Sequence, residues 1–243
     1  MEMYRKVGPY KYLRYAVALN LCIRAYVKPS FLVLDAGCGW NSWHLVSTSA
    51  EGIGLDVRRE NLKKARRAAN NSPSVSFVVG DVEKMPFRQN IFNLIFCSDV
   101  LEHVQDWEKA IEELARTLRI GGKLLITASN SLNPTMLIDK ILPRTLVNRI
   151  LREFGVFYYD RTRHLNPWYL IRKMAKTGLV DRKMLMFGFP LFGYSNGKHP
   201  IERHRMLCFL WILFERLSNN GYLRYFKEIM LVSSQNGAEA FEK

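Results

Sequence analysis

Phe31-Leu-Val-Leu-Asp35-Ala-Gly37-Cys-Gly39-Trp-Asn-Ser-Trp-His-Leu45 is an apolar run that reaches an acid and breaks at two closely spaced glycines before a helix-like stretch. Residues 31–34 are short, β-prone and apolar on both faces, the pattern of a strand buried in a parallel sheet. Gly37 and Gly39 let the chain turn sharply and bring bare backbone against a ligand, where a side chain would intervene. A strand feeding such a loop opens a nucleotide-type α/β fold. The loop alone is a weak signal, so the segments around it decide.

Working outward, Glu51-Gly-Ile-Gly-Leu-Asp56-Val57 is a second short strand ending in an acid. Asp56 follows the loop by about twenty residues, the spacing at which a carboxylate reaches the ribose hydroxyls of a bound nucleoside. A nicotinamide enzyme would continue to a third glycine, and that position is Ser42, which disfavours a dinucleotide. A third strand, Val75-Ser-Phe-Val-Val79, leads into Gly80-Asp81-Val82, an acid and an apolar residue suited to the amino group and ring face of an adenine. Each of these acids also has a plainer reading as a turn former or helix cap.

Strands near 31–35, 52–57, 75–79, 92–97 and 122–128 alternate with helices near 41–49, 60–70 and 106–119. That alternation demands a parallel sheet with helices on both faces. An amphipathic helix carrying Tyr10, Leu13, Val17, Leu21 and Ala25 precedes Pro29. Past residue 128 the pattern loosens. Helices are expected near 134–153, 167–177 and 201–217, strands near 180–187 and 227–234, an aromatic and basic connector at 154–165, and a Gly/Pro loop between 188 and 197. On the helix near 60–70, Leu62, Ala65 and Ala69 make the inner stripe, so the basic run around it reads as a solvated outer face.

With these residues in view, the chain resembles the class I S-adenosylmethionine-dependent methyltransferases, in the small-molecule branch related to ubiquinone and menaquinone biosynthesis enzymes (methyltransferase type 11). The resemblance rests on Val33-Leu-Asp-Ala-Gly-Cys-Gly39, on Gly54-Leu-Asp-Val57, on Gly80-Asp81 with Met85-Pro-Phe87, and on Phe92-Asn-Leu-Ile-Phe-Cys-Ser98-Asp-Val-Leu-Glu-His103-Val104. A fifth block, Glu113-Leu-Ala-Arg-Thr-Leu-Arg-Ile-Gly-Gly-Lys-Leu-Leu-Ile126, is similar to the family's helix, glycine turn and fifth strand. Where relatives often have a third glycine this chain has Asn41, a residue that tolerates left-handed backbone better than most.

The resemblance implies a Rossmann-like, doubly wound, seven-stranded and mostly parallel sheet with an antiparallel last strand. It also implies one methyltransferase domain over 1–243, made of an N-terminal helical cap (1–30), a cofactor-binding half (31–128), a substrate and lid half (129–235) and a frayed tail (236–243). The cofactor is S-adenosyl-L-methionine, and the product S-adenosyl-L-homocysteine. By the same resemblance Asp35 fixes the glycine loop or the methionine amino group, Gly37 and Gly39 admit the amino-acid portion, Asp56 takes the ribose, Asp81 and Val82 take adenine, Ser98 borders the methionine end, and Val57 is a further cofactor-binding residue. His164 is similar to a histidine that relatives place near the substrate mouth. A neutral imidazole there suits a general base, and a hydrogen-bonded loop histidine is the plainer alternative. His103 is a second catalytic candidate, or a residue ordering the crossover after the fourth strand.

Composition sets the remaining bounds. Cys22, Cys38, Cys97 and Cys208 are scattered, with no Cys-x-x-Cys pair and no zinc spacing, so no metal is expected and a reducing cytoplasm is the simplest location. No signal peptide is evident, and the longest apolar runs, 184–192 and 206–214, have about half of the roughly 20 residues that a spanning helix needs. The net charge of +14 is uneven: residues 139–228 hold 17 basic against 7 acidic residues, beside Phe154, Phe157, Tyr158, Tyr159, Trp168 and Tyr169. Such a mixture suits an anionic amphiphile, a membrane surface or a nucleic acid.

The reading is therefore a cytoplasmic methyltransferase of a small hydrophobic or acidic acceptor, with O-methylation preferred, and a lipid-linked acceptor at the membrane surface as a variant. RNA methylation by the basic half and a non-catalytic cofactor-binding partner protein are the alternatives. Ser98-Asp99-Val100-Leu101 lacks the Asn/Asp-Pro-Pro-aromatic clamp of amino-methylating enzymes acting on adenine or glutamine. Oligomeric state and the methylated atom are not specified by these patterns.

Overall fold

A computed structural model describes residues 27–40, 45, 50–70, 72–132, 165–187 and 229–237. The expected helices at the N-terminus and near 134–153 and 201–217, that near 41–49 apart from Leu45, the connector before Leu165, the loop 188–197 and the tail from 238 lie outside the described residues, as do Asn41 and Ser42; Asn236, expected to begin the frayed tail, is instead buried at the end of the last strand. Seven strands follow in chain order: β1 Leu32–Ala36, β2 Glu51–Asp56, β3 Val75–Val79, β4 Phe92–Ser98, β5 Leu118–Ser129, β6 Leu179–Phe187 and β7 Ile229–Asn236. The described helices are α1 Arg59–Ala68, α2 Trp107–Thr117 and α3 Pro167–Lys176.

The strands form one sheet in the order β3-β2-β1-β4-β5-β7-β6. Pairs β1–β2, β1–β4, β2–β3 and β4–β5 are parallel. The order reverses between β1 and β4, and the crevice beyond the C-terminal ends of strands at such a switch point is where open α/β sheets bind ligands. β7 runs against its neighbours. Its end sits beside the start of β6, where Gly237 N donates to Gly178 O at 3.1 Å, and beside the start of β5, where Asn236 Nδ2 donates to Leu118 O at 2.8 Å. The expected antiparallel last strand is thus present.

The centre of the sheet explains the two-faced apolar runs. Leu34, Phe92, Leu94, Ile95, Phe96, Leu124, Leu125 and Ile126 are fully buried, each side chain contributing about 1.5–3 kcal/mol by leaving water. α1 buries Leu62 and Ala65 and leaves Lys63, Lys64, Arg66 and Arg67 exposed, the solvated face its periodicity predicts. α2 is N-capped by Asp106, whose carboxylate accepts from the Glu108 and Lys109 amides at 3.1 Å, satisfying two otherwise orphaned donors.

β5 corrects one expectation. The helix ends at Thr117, not 119, and β5 begins at Leu118 with no intervening glycine turn. Pairing jumps from Phe92↔Leu118 to Leu94↔Lys123, so the Gly121-Gly122 pair lies in a bulge within the strand. Leu118 is the junction: its amide still donates to Leu114 O while its own backbone is already extended.

The chain divides into two compact units, one of residues 17–128, 168–185 and 231–243, the other of 1–16, 129–167 and 186–230. The first holds β1 to β4 and nearly all of β5. In the second, Asn130 and Leu165 form a parallel bridge, with Leu165 N donating to Ser129 O and Ser131 N to Leu165 O, each at 3.0 Å.

Candidate functional site

The turn after β1 is built from backbone. The amides of Gly37 and Cys38 both donate to Leu55 O, at 2.8 and 2.9 Å, which folds the turn against the end of β2. Gly37 and Gly39 have φ of +76° and +61°, a region that side chains resist. A Cβ on Gly37 would lie 2.4 Å from Val100 Cγ2, whereas one on Gly39 would meet no protein atom within 4 Å. The first glycine is therefore demanded by packing, and the second faces open space that a ligand can enter.

Asp56, the last residue of β2, anchors this turn. Its Oδ2 accepts from the Gly39 amide at 2.9 Å, while Oδ1 accepts from the Arg58 amide at 2.8 Å and Asn61 Nδ2 at 3.1 Å. The side chain is 8 % exposed. A carboxylate offers about four acceptor positions, so a further donor, such as a hydroxyl, still has a lone pair to find.

Asp35 is different. It lies within β1, paired with Gly54 on one side and Phe96 on the other, and is 2 % exposed. Its Oδ2 is buried and has no hydrogen-bond partner. Burial, reinforced by the Asp56 charge, pushes its pKa up to about 7. On the adjacent β4, burial pushes the Cys97 thiol well up, with Glu102, Asp35 and Asp99 adding to the effect. Among the described residues, holding the glycine loop falls to Asp56, and Asp35 is left as an acceptor waiting for a donor or a cation.

Beyond β3, Gly80 N donates to Asp56 O at 3.1 Å, drawing the Gly80-Asp81-Val82 turn toward the same place. Asp81 is exposed and accepts from the Glu83 amide at 2.9 Å, so it serves as a turn former as well as a ligand candidate. Val82 is buried, at 5 % exposure, while Val57 (66 %), Val79 (49 %) and Trp40 (63 %) are exposed. These three stand at or just past the ends of the adjacent strands β2, β3 and β1. The exposed apolar surface at these strand ends thus lies with Val57, Val79 and Trp40 and not with the Val82 side chain. Trp40 and Val79 were not singled out by sequence, although their places beside Gly39 and Gly80 were a usable signal.

A clamp from α2 supports the β3 turn. Glu113 accepts from the Met85 amide at 2.8 Å and from Arg116 Nε and Nη2 at 2.6 and 2.7 Å, and Arg116 donates to Phe87 O at 2.9 Å. The Arg116 guanidinium holds the Glu113 carboxyl below its ordinary pKa. At the end of β4 the Ser98 hydroxyl is buried without a partner, and Asp99 adopts a left-handed φ of +53° with its amide donating to Thr127 O. His103 is exposed on the turn that follows, its amide donating to Val100 O at 2.9 Å. His164 lies outside the described residues. The structure therefore gathers Asp35, Gly37, Gly39 and Asp56 at one strand-end crevice, with Val57, Asp81, Val82 and Ser98 at the ends of adjacent strands. Among the described residues, the His103 hydrogen bond is the one from its amide to Val100 O, not to any of these.

Residues 34–126 match the family model described as a methyltransferase domain. An uncharacterised protein of Methanocaldococcus jannaschii is 33 % identical over 131 residues, covering 54 % of this chain and 50 % of its own. A demethylmenaquinone methyltransferase of Staphylococcus haemolyticus is 26 % identical over 138 residues, covering 55 % and 57 %. The chain spans about half the length of the curated relatives it matches. The fold is shared with geranyl diphosphate C-methyltransferase of Streptomyces coelicolor, at a TM-score of 0.59 and 16 % identity over 92 % of this chain and 80 % of that one.

Proposed function

We propose, taking residues 34–126 as a methyltransferase domain similar to those of the small-molecule class I enzymes, that the chain moves a methyl group from S-adenosylmethionine to a small acceptor. The observation that carries this reading is the Gly37–Gly39 turn, held open at Gly39 and tied to Asp56 at the end of β2, beside the sheet's switch point. S-adenosylmethionine, when bound, supplies an electrophilic methyl on a positively charged sulfur. The chain's residues then bind, orient and exclude water. Asp56 offers its remaining lone pair to the ribose, Val57 and the Asp81-Val82 turn border adenine, and Asp35 and Ser98 face the methionine end.

What remains for catalysis is to hold a nucleophile in line with the methyl at near-attack distance. His164 is the proposed base that takes the acceptor's proton. A neutral imidazole suits proton removal near pH 7. His103 is the second candidate, and its exposed turn argues for the lesser part. The acceptor is a small hydrophobic or acidic molecule, methylated on oxygen by preference. The S. haemolyticus relative is named for demethylmenaquinone, and the S. coelicolor enzyme was solved with geranyl diphosphate and S-adenosylhomocysteine, an apolar chain with an anionic head. The basic and aromatic residues of 139–228 suit such a molecule.

A second reading places the acceptor in a lipid surface. The exposed face of α3 carries Trp168 and Tyr169 followed by Arg172 and Lys176, a combination favoured at anionic interfaces. No described helix is long and apolar enough to cross a membrane. Binding to phosphatidylglycerol vesicles that is lost in Trp168→Ala/Tyr169→Ala supports this, and absence of binding removes it.

The primary test is titration calorimetry of S-adenosylmethionine and S-adenosylhomocysteine with the wild type and Asp56→Asn, followed by an acceptor screen at two salt concentrations. Binding weakened in the variant and turnover with a small acceptor are expected. Turnover of RNA that falls steeply with salt would favour the nucleic-acid alternative, and binding without any turnover would favour a regulatory partner protein.

A further inference from the structure

We infer that Asp35 gives up a proton when the cofactor binds, so that cofactor affinity is coupled to proton release from the interior of β1. This rests on the cofactor reading above and specifies how the site responds to its ligand's charge.

The argument begins with placement. Asp35 sits between two strands, almost wholly buried, with one carboxyl oxygen that no donor reaches. An ionised carboxylate in that position has lost its water and gained no compensating hydrogen bond at Oδ2, which is costly. Of the groups around it, the Asp56 charge makes ionisation harder. On β2 there is Asp56, whose charge acts directly on Asp35; on β4 there is Cys97, with Asp99 and Glu102 on the turn beyond it. β1 itself adds no other charged residue. Neither Asp35 nor Asp56 has an ion-pair partner among the described residues. Asp35 accordingly holds its proton up to about pH 7 in the ligand-free chain.

S-adenosylmethionine changes the balance because it carries a sulfonium and an α-ammonium. A positive charge close to a carboxyl favours its ionised form, and Asp35, unlike Asp56 and Asp81, has a buried carboxyl oxygen that no donor engages. Linkage fixes the sign: if the ligand favours the ionised carboxylate, deprotonation favours the ligand equally. Below the pKa of the free protein, binding must first expel a proton, so affinity rises with pH by up to about tenfold per unit and levels off near 7. The ligand's own α-amino group, which titrates near 8, pulls the other way by losing positive charge as pH rises. The two contributions have opposite slopes and are separable.

The experiment is calorimetric titration of the full chain with S-adenosylmethionine between about pH 5.5 and 7, each point in two buffers of different ionisation enthalpy. In the wild type the dissociation constant falls by close to tenfold per pH unit at the acid end, and the buffer difference reports release approaching one proton per ligand. Asp35→Asn flattens the profile and removes the buffer difference, which separates Asp35 from histidines titrating in the same window. A wild-type profile that is flat, with equal heats in both buffers, overturns the coupling and leaves the cofactor reading standing. A slope that persists in Asp35→Asn overturns the assignment to this residue. No heat at any pH from a folded chain overturns both. If Asp35→Asn does not fold, Asp35→Ser makes the same comparison, and a flat wild-type profile overturns the coupling without either variant.

Discussion

Asp56 Oδ2 accepts a hydrogen bond from the Gly39 amide at 2.9 Å, so the acid that ends β2 holds the glycine turn that follows β1. The same carboxylate receives the Arg58 amide and the Asn61 side chain. One residue therefore shapes the ligand crevice before any ligand arrives.

Asp56→Ala is expected to have two separable effects. Removing charge-assisted contacts to the cofactor, each worth roughly 1.5–3 kcal/mol, weakens binding about tenfold to a hundredfold. The ligand-free protein also loses about 1–3 kcal/mol, because the Gly39 and Arg58 amides are left without an acceptor. Asp81→Ala, which removes a single exposed contact to the Glu83 amide, lowers affinity with little change in melting temperature. Chemical denaturation beside calorimetry distinguishes the two. Equal stability losses in both variants would contradict this division.

The two glycines of the turn respond differently to alanine. Gly37→Ala drives a Cβ into Val100 at a left-handed φ, and is expected to destabilise the fold by about 2 kcal/mol or more. Val100→Ala restores part of that loss in the double variant. Gly39→Ala has room for its Cβ and costs only about 1 kcal/mol of stability, but the methyl fills the space reserved for ligand, so cofactor binding suffers far more. A binding constant for Gly39→Ala equal to that of wild type would show that the ligand does not approach there.

The burial of Asp35 makes stability depend on pH in an unusual direction for a carboxyl. In the unfolded chain it ionises near 3.8, whereas in the folded chain it keeps its proton to about 7. Between those values the folded state binds more protons, so this group's contribution worsens as pH rises, reaching a penalty on the order of 4 kcal/mol above pH 7. Asp35→Asn should therefore raise the melting temperature of the ligand-free chain more at pH 8 than at pH 4.5. A gain independent of pH would mean that the carboxyl is ionised or solvated throughout.

Arg116→Ala should loosen the Met85–Phe87 segment, which it supports through Glu113 and through the Phe87 carbonyl. The expected loss is about 1–2 kcal/mol, reduced by the partial exposure of the pair. Because Arg116 lowers the Glu113 pKa, the pair's contribution is present above the ordinary carboxyl value and is lost as pH falls through the lowered one. Wild type and Arg116→Ala should thus converge in stability at acid pH. A constant difference down to pH 2 would exclude the ion pair as its source.

His164→Ala is expected to reduce turnover by about 10²–10⁴-fold, the usual contribution of a positioned base, with cofactor affinity nearly unchanged. His103→Ala should alter both only slightly. Parallel losses of turnover and cofactor affinity in His164→Ala would assign that residue to binding.

Some of the site was legible from spacing alone. Two glycines after a buried strand, with an acid closing the next strand, define a crevice because the chain must turn there and the acid must emerge there. The bulge at Gly121-Gly122 was not legible, since Leu118 and Ile120 continue the helical pattern of α2 and only pairing with β4 draws them into β5. The Glu113–Arg116 pair was visible as neighbours on one helix face. Its target, the Met85 amide, was not, because that contact belongs to a distant loop.

The alternation of short apolar runs with amphipathic ones determined by itself that this chain builds a doubly wound parallel sheet, because a run buried on both faces needs helices on each side of it. Asp35 and Asp56 look alike at that level, each an acid near the end of a strand. Only the tertiary structure assigned them different parts. Asp56 lies where the Gly39 and Arg58 amides converge and accepts from both, while Asp35, one step inside its strand, is enclosed by β2 and β4 with one oxygen unanswered. The reason is that a carboxyl's charge state depends on the donors and the dielectric around it, and both are supplied by residues far away along the chain.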